Sequence, residues 1–133
     1  TYYSALGESD EKMLLARAIQ MFMPGKPQIW YLDLFAGKND HEAVQRAGES
    51  GHKEINRTNL STDQITEGLK KDVVQKQLAL IRMRNTHKAF SEGAEVAISG
   101  GERTLEIRWE YNSAFATLYV NFESGTYTIV ESR

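Results

Sequence analysis

The chain has 133 residues, a formal net charge of −2 and 41% hydrophobic residues, which predicts one globular domain, or one domain with a small appended one. The near-neutral charge provides no electrostatic footprint for nucleic acid or anionic lipid, so we expect neither nucleic acid nor membrane as a partner. No apolar run is long enough to cross a bilayer, and the lack of cysteine and of a visible targeting segment predicts a cytoplasmic protein without disulfides or thiolate metal sites.

The first predicted element is a helix. Leu14, Ala18 and Phe22 recur at the spacing of one helix face. Ser9 is the expected N-cap, and Pro24 with the following glycine ends the helix.

The second predicted element is a strand at Ile29–Leu34, which follows Pro27. Its apolar residues are continuous rather than alternating, which is typical of a strand buried on both faces in a parallel sheet. The side chain of Trp30 could stack on a sugar, but its place in this strand favours core packing. The polar, glycine-bearing stretch over residues 36–59 predicts a long functional loop, interrupted by a short helix near residues 41–46.

Two helices and four strands follow. Ser61 or Thr62 is expected to cap a helix beginning at Asp63, and a longer helix carries Val74, Leu78 and Ile81 on one side and ends near His87. Beyond residue 90 the period becomes alternating, which predicts an antiparallel meander. Its expected strands contain Val96 and Ile98; Leu105, Ile107 and Trp109; residues 114–122; and residues 126–130.

These elements do not form a self-sufficient protein. A buried parallel strand needs parallel neighbours, each requiring a crossover unit of about 30 residues, and none is visible. The interpretation is a piece of a larger α/β protein that carries a C-terminal β domain. Thr1 in place of an initiator methionine also leads us to expect a sequence that starts inside a longer chain. The alternative is a stand-alone α+β domain in which residues 29–34 join the meander.

The residues alone contain weak signals for chemistry. The three histidines lack the spacing of a zinc site, so we expect no metal. Carboxylates near the predicted strand end are candidates for a site but are usually solvated; they are Asp33, Asp40, Glu42 and Glu54. Arg57 is a loop cation suited to forked recognition of phosphate or hydroxyls, although a solvated surface arginine is the alternative.

Three ordered strings carry a family resemblance: TYYSALGESDEKMLLARAIQMFMPGKPQIWYLDLFAGKND, then EINR, then DVVQKQLALIRMRNTHKAF. They resemble the sucrose phosphorylase subfamily of glycoside hydrolase family 13, the α-amylase superfamily, strongly up to about residue 90 and loosely beyond. The resemblance implies an α/β plus all-β fold: the last βα part of a (β/α)8 TIM barrel at residues 1–90, with strand eight and its flanking helices, then a small antiparallel C-terminal β domain at residues 91–133.

The family implies a retaining glycosyltransferase that phosphorolyses an α-glucoside, sucrose or a relative, to α-glucose 1-phosphate. Inorganic phosphate would be the co-substrate, with no cofactor and no metal. The family's catalytic carboxylates lie upstream of this segment, so no catalytic residue is assigned here and the segment alone is expected to be inactive. The implied substrate-binding residue is Arg57, the arginine of the Ile-Asn-Arg motif, on the acceptor side of the pocket. Expected partners are a small sugar, phosphate and the remainder of the barrel. The resemblance leaves open whether two copies of the protein form a homodimer.

Three departures from the sucrose-specific pattern leave the acceptor open. Thr58 and Asn59 stand where His-Tyr is common in the family, the loop before the arginine is slightly longer, and Asp33 stands where glycine is common. The alternatives are a phosphorylase for glucosylglycerate, glucosylglycerol or sucrose 6′-phosphate, or an α-glucosidase of the same family. The non-enzyme alternative is a carbohydrate-binding or interaction module.

Overall fold

The computed structural model describes all residues from Thr1 to Arg133. The α-helices are α1 (Tyr2–Ala5), α2 (Asp10–Phe22), α3 (Tyr31–Leu34), α4 (His41–Ala47), α5 (Thr62–Gly68) and α6 (Asp72–Thr86). Two 3₁₀ segments cover Gly48–Asn56 and Lys88–Phe90. The strands are β1 (Glu95–Gly101), β2 (Thr104–Tyr111), β3 (Ala114–Asn121) and β4 (Thr126–Glu131). None of the helices combines the length and apolarity that a membrane span requires.

The chain forms two compact units, each assembled from separate stretches. The first unit comprises Thr1–Met13 and Gln28–Gln77, and the second comprises Leu14–Pro27 and Leu78–Arg133. The first unit is helical, and the second contains the whole sheet. In residues 36–59, the predicted long loop, the expected short helix is α4, but the 3₁₀ segment Gly48–Asn56 was not expected and makes most of the loop helical. The division into a barrel part at residues 1–90 and a β domain at residues 91–133 stays a prediction.

Helix α2 confirms the first predicted element. Its N-cap is Ser9, whose Oγ accepts a hydrogen bond from the backbone N–H of Lys12 at 3.3 Å. The predicted apolar face is buried, and with it a charged residue that the periodicity did not single out: Arg17 is 1% exposed, and its guanidinium donates to the side chain of Gln20. A cation is therefore part of this otherwise apolar face.

The predicted strand at Ile29–Leu34 is wrong. Only its first part is extended, and the backbone then closes into the single turn of α3, where the N–H of Leu34 donates to the carbonyl of Trp30 at 3.1 Å. The turn is completed by Gly37, whose N–H donates to the carbonyl of Leu32 at 2.8 Å. A parallel strand needs a neighbour for its N–H and C=O groups. No strand lies beside this segment; its turn is closed by local N–H bonds, and the carbonyl of Leu34 accepts from the side chain of Gln77 at 2.9 Å.

Helix α5 begins at a capping box, which identifies Ser61 rather than Thr62 as the N-cap. The Oγ atom of Ser61 accepts from the backbone N–H of Gln64 at 3.2 Å, and Oε1 of Gln64 accepts from the backbone N–H of Ser61 at 2.8 Å. Two N–H groups that a helix start leaves without partners are satisfied in this way. This cap fixes where the long loop ends and the helix starts.

Replacing Ser61 with alanine is expected to destabilise α5 by about 0.5–2 kcal/mol, because the N–H of Gln64 loses its acceptor. Hydrogen exchange at the amides of the first turn of α5 measures the effect as faster local opening. The matched control is Ser61→Asp, which keeps an acceptor oxygen and should retain the protection. Equal protection in the alanine variant would show that the cap contributes nothing.

The four strands form the predicted meander, in the order β1-β2-β3-β4 with every pair antiparallel. One cross-strand row runs through Ile98, Ile107, Leu118 and Ile129. The β1–β2 turn lies at residues 102–103, because the glycines at 100 and 101 are paired within β1 rather than forming the turn. The sheet thus has a register in which apolar side chains share one face.

The apolar face of the sheet is buried around Trp109. Ile107 is 0% and Trp109 7% exposed, whereas Leu105 is only half-buried. The indole N–H of Trp109 donates to the carbonyl of Phe22 at the end of α2, at 2.6 Å. The Trp109 ring lies 5.4 Å from that of Phe90, between ring centroids. This part of the sheet therefore packs on the end of α2 and on the 3₁₀ segment that precedes β1.

Arg84, near the C-terminal end of α6, covers the same cluster. Its guanidinium carbon lies 4.2 Å from the centroid of the Trp109 ring and 4.8 Å from that of Phe90, and Nη2 donates to the carbonyl of Gly25 at 2.9 Å. Burial lowers the pKa of Arg84 from its usual value. A guanidinium over two aromatic faces gains cation–π attraction, so this end of α6 packs against the sheet at Trp109.

Candidate functional site

Arg57 follows directly after the 3₁₀ segment Gly48–Asn56, in the first unit. Its backbone N–H donates to the carbonyl of Glu54 at 3.2 Å. Its Nη1 lies 3.5 Å from Oε1 of the same residue, and both side chains are about half-exposed. This long, solvated ion pair is weak. The guanidinium therefore presents most of its N–H donors to a ligand that approaches from solvent.

The backbone on either side of Arg57 is held by two adjacent aromatic side chains. The indole N–H of Trp30 donates to the carbonyl of Asn56 at 3.0 Å, and the hydroxyl of Tyr31 donates to the carbonyl of Thr58 at 2.8 Å. The two aromatic rings are 4.9 Å apart between centroids and tilted by 48°. Two adjacent donors on one short segment thus hydrogen-bond to the carbonyls of the residues before and after the arginine.

Trp30 is 47% and Tyr31 38% exposed, so the expectation that Trp30 packs in the core is wrong. The expectation depended on a buried strand, and this segment forms none. Instead the indole uses its polar N–H on the loop while part of the ring faces solvent, as amphipathic aromatic side chains do.

Asp40 links the same loop to helix α4. Its backbone N–H donates to the carbonyl of Ile55 at 2.9 Å, and its Oδ2 accepts from the hydroxyl of Thr58 at 3.4 Å. Its Oδ1 caps α4 by accepting from the N–H of Ala43 at 2.8 Å. Both carboxylate oxygens thus have structural partners, and Asp40 acts as a support of the loop.

The other carboxylates considered from the sequence also have local partners. Asp33 accepts from the backbone N–H of Tyr2 at 2.7 Å, and Glu42 pairs with Arg46 one helical turn away at 3.5 Å. The structure therefore brings only Glu54 into contact with Arg57 through a carboxylate.

A cavity of about 420 Å³ lies elsewhere in the first unit. It has an apolar side at Leu32 and Phe35, and two of its three charged residues form ion pairs: Lys38 pairs with Glu8 at 2.6 Å, and Glu67 pairs with Lys70 at 2.6 Å. The hydrogen bond from Lys38 holds the pKa of Glu8 below its usual value. Arg57 does not line this cavity, so the two features are separate.

The chain is similar to several curated proteins and to a solved structure. No family model matches the chain. The chain is 52% identical over 129 residues to a sucrose 6(F)-phosphate phosphorylase from Ilumatobacter coccineus, covering 97% of this chain and 24% of that protein. It is 42% identical over 132 residues to a sucrose phosphorylase from Agrobacterium vitis, covering 99% of this chain and 26% of that protein.

A solved structure agrees with the sequence comparison. The crystal structure of sucrose 6F-phosphate phosphorylase from Thermoanaerobacter thermosaccharolyticum matches with a TM-score of 0.92 and 40% identity, over 100% of this chain and 26% of that one. The resemblance to the sucrose phosphorylase subfamily is confirmed, and the match is to the C-terminal segment of those proteins. The chain spans about a quarter of the length of the relatives it matches.

Proposed function

We propose that the whole protein is a retaining glucosyltransferase that phosphorolyses an α-glucoside to α-glucose 1-phosphate. In this proposal residues 1–90 complete a (β/α)8 barrel whose other parts lie outside this chain, and residues 91–133 form its C-terminal β domain. The similarity to proteins named sucrose, sucrose 6(F)-phosphate and glucosylglycerol phosphorylase supports it. The structural observation that carries it is the half-exposed guanidinium of Arg57 on an anchored backbone.

The chemistry divides between this chain and the remainder of the barrel. Retaining glycosyl transfer needs two carboxyl groups, one as nucleophile and one as acid and base, about 5–5.5 Å apart. In the proposal the remainder supplies both, and this chain contributes recognition on the acceptor side. A phosphate dianion there would accept two parallel hydrogen bonds from Arg57, in place of its weak pairing with Glu54, and would be oriented for attack on the glucosyl carbon.

We favour sucrose or its 6′-phosphate as the glucoside. Relatives named for sucrose 6(F)-phosphate are 52% and 41% identical to the chain, and one named for sucrose is 42% identical. The relative named for glucosylglycerol is 36% identical. The deciding experiment assays the full-length protein on sucrose, sucrose 6′-phosphate, glucosylglycerol and glucosylglycerate, with and without phosphate. Glucose 1-phosphate as the product supports a phosphorylase, whereas free glucose at the same rate in both conditions identifies an α-glucosidase.

In the full-length protein, Arg57→Lys is expected to weaken phosphorolysis by about 1–3 kcal/mol, the range for a charge-assisted hydrogen bond. Lysine keeps the positive charge and loses the planar fork, so the loss measures bidentate recognition. The quantity to compare is kcat/KM for phosphate. Hydrolysis in the absence of phosphate should decrease less, because the carboxylates that form the glucosyl-enzyme lie outside this chain.

The matched control is Arg46→Lys. Arg46 is another exposed arginine of the same loop region, paired with Glu42 at 3.5 Å, and its replacement should leave both reactions unchanged. Equal losses of hydrolysis and phosphorolysis in the Arg57 variant would assign Arg57 to the general structure of the pocket. No loss in either reaction would show that Arg57 is a solvated surface arginine without a role in the reaction.

A further inference from the structure

We infer that Trp30 and Tyr31 are positioning residues that hold Arg57 for the acceptor step. The inference rests on the proposed function, because it assigns these residues to the reaction in which phosphate meets the glucosyl-enzyme. It concerns the segment that we expected to be a buried strand. In the structure the same segment supplies two hydrogen-bond donors to the loop.

The position of the two hydrogen bonds supports this role. Trp30 binds the carbonyl of Asn56 and Tyr31 that of Thr58, at 3.0 and 2.8 Å, so the arginine lies between two anchored residues. The orientation of a peptide plane is set by the dihedral angles on both of its sides. Anchoring the carbonyls before and after Arg57 therefore restricts the direction in which its side chain leaves the backbone.

Both rings are partly exposed, so we attribute part of their contribution to the loop to the hydrogen bonds that their polar ends make. With 47% of Trp30 and 38% of Tyr31 exposed, burial of apolar area accounts for only part of their contribution. The hydroxyl of Tyr31 makes this one hydrogen bond to the loop. A phenylalanine at this position would keep the ring contact with Trp30 and lose only the donor. Tyr31→Phe therefore isolates the anchoring hydrogen bond with minimal risk to folding.

Limited proteolysis of the full-length protein tests the anchoring directly, since trypsin cleaves after arginine and Arg57 is followed by Thr58. Native-state cleavage follows the population of the open segment when opening is fast. Losing one hydrogen bond should raise the cleavage rate after Arg57 about three- to tenfold. Cleavage after Arg103, in the β1–β2 turn of the second unit, is the internal reference, and mass spectrometry of the peptides separates the two sites.

The control variant is Tyr119→Phe, because Tyr119 is 44% exposed and lies on β3, in the second unit. Its cleavage pattern should equal that of the unchanged protein. Trp30→Phe, which removes the second donor, should increase cleavage after Arg57 in the same way as Tyr31→Phe. If neither variant increases it relative to Arg103, the anchoring is absent and the inference is wrong.

Kinetics then separate positioning from a purely structural role. In Tyr31→Phe and Trp30→Phe the KM for phosphate should rise about three- to tenfold, with a smaller change in hydrolysis without phosphate. Faster cleavage with an unchanged KM for phosphate would overturn the positioning role. Absence of phosphorolysis in the unchanged protein would overturn the proposed function and the role that rests on it, while the cleavage rates would still decide whether the two side chains anchor the loop.

Discussion

Trp109→Ala is expected to lower the free energy of unfolding of the second unit by about 3–5 kcal/mol, the range for removing a large buried aromatic. The side chain is 7% exposed, contacts Phe90, lies under the guanidinium of Arg84 and donates to the carbonyl of Phe22. Its removal would leave a cavity, an acceptor without its partner and a half-buried cation, Arg84, with one aromatic face fewer. Denaturant unfolding of the full-length protein measures the change.

Tyr119→Ala is the matched control for this stability measurement. Tyr119 is an aromatic residue of the same sheet, on β3, with 44% of its side chain exposed. Its loss should change stability by well under the effect at Trp109, since surface substitutions are usually within about 0.5 kcal/mol. Similar values for the two variants would mean that the faces of the sheet have been assigned wrongly.

The 133-residue chain by itself is expected to neither hydrolyse nor phosphorolyse any glucoside. Its Arg57 site holds no pair of carboxylates, and removing a group that makes or breaks the covalent bond lowers rates by several orders of magnitude. The measurement is release of glucose and of glucose 1-phosphate from sucrose and sucrose 6′-phosphate, with the full-length protein as positive control. Turnover by the pure chain would contradict the placement of the catalytic carboxylates outside it.

The strands were the most predictable part of the fold. Alternation of apolar and polar residues around Ile107 and Trp109 has a period of two, which only an extended backbone places on one face. The pattern therefore identifies the strand and the buried side together. Helices α2 and α6 were predictable for the corresponding reason, a period near 3.6.

The continuous apolar run at residues 29–34 could not be resolved in this way. A run without alternation fits a buried strand or part of a helix equally well, and the choice depends on neighbours that the sequence does not display. The burial of Arg17 was unpredictable too, since its environment is created by packing rather than by its place in the pattern.

The site was predictable only in part. The motif resemblance singled out Arg57, and the long polar loop marked the region. Its supports at Trp30 and Tyr31 lie 26 and 27 residues away along the chain from their acceptors, and no local pattern reports a hydrogen bond over that distance. The signal that could have drawn attention to them was two adjacent amphipathic aromatics, each with a polar end that needs a partner.

The two partners of the hydrogen bond between Trp109 and Phe22 are synthesised at different times. They are 87 residues apart, and ribosomes add about 5–20 residues per second, so the end of α2 emerges roughly 4–17 s before its indole partner. During that interval the apolar surface of Met21 and Phe22, buried in the finished protein, has no β-sheet to cover it. Nascent chains stalled between these two points should therefore bind chaperones that recognise exposed apolar segments, and release them once β2 has been made.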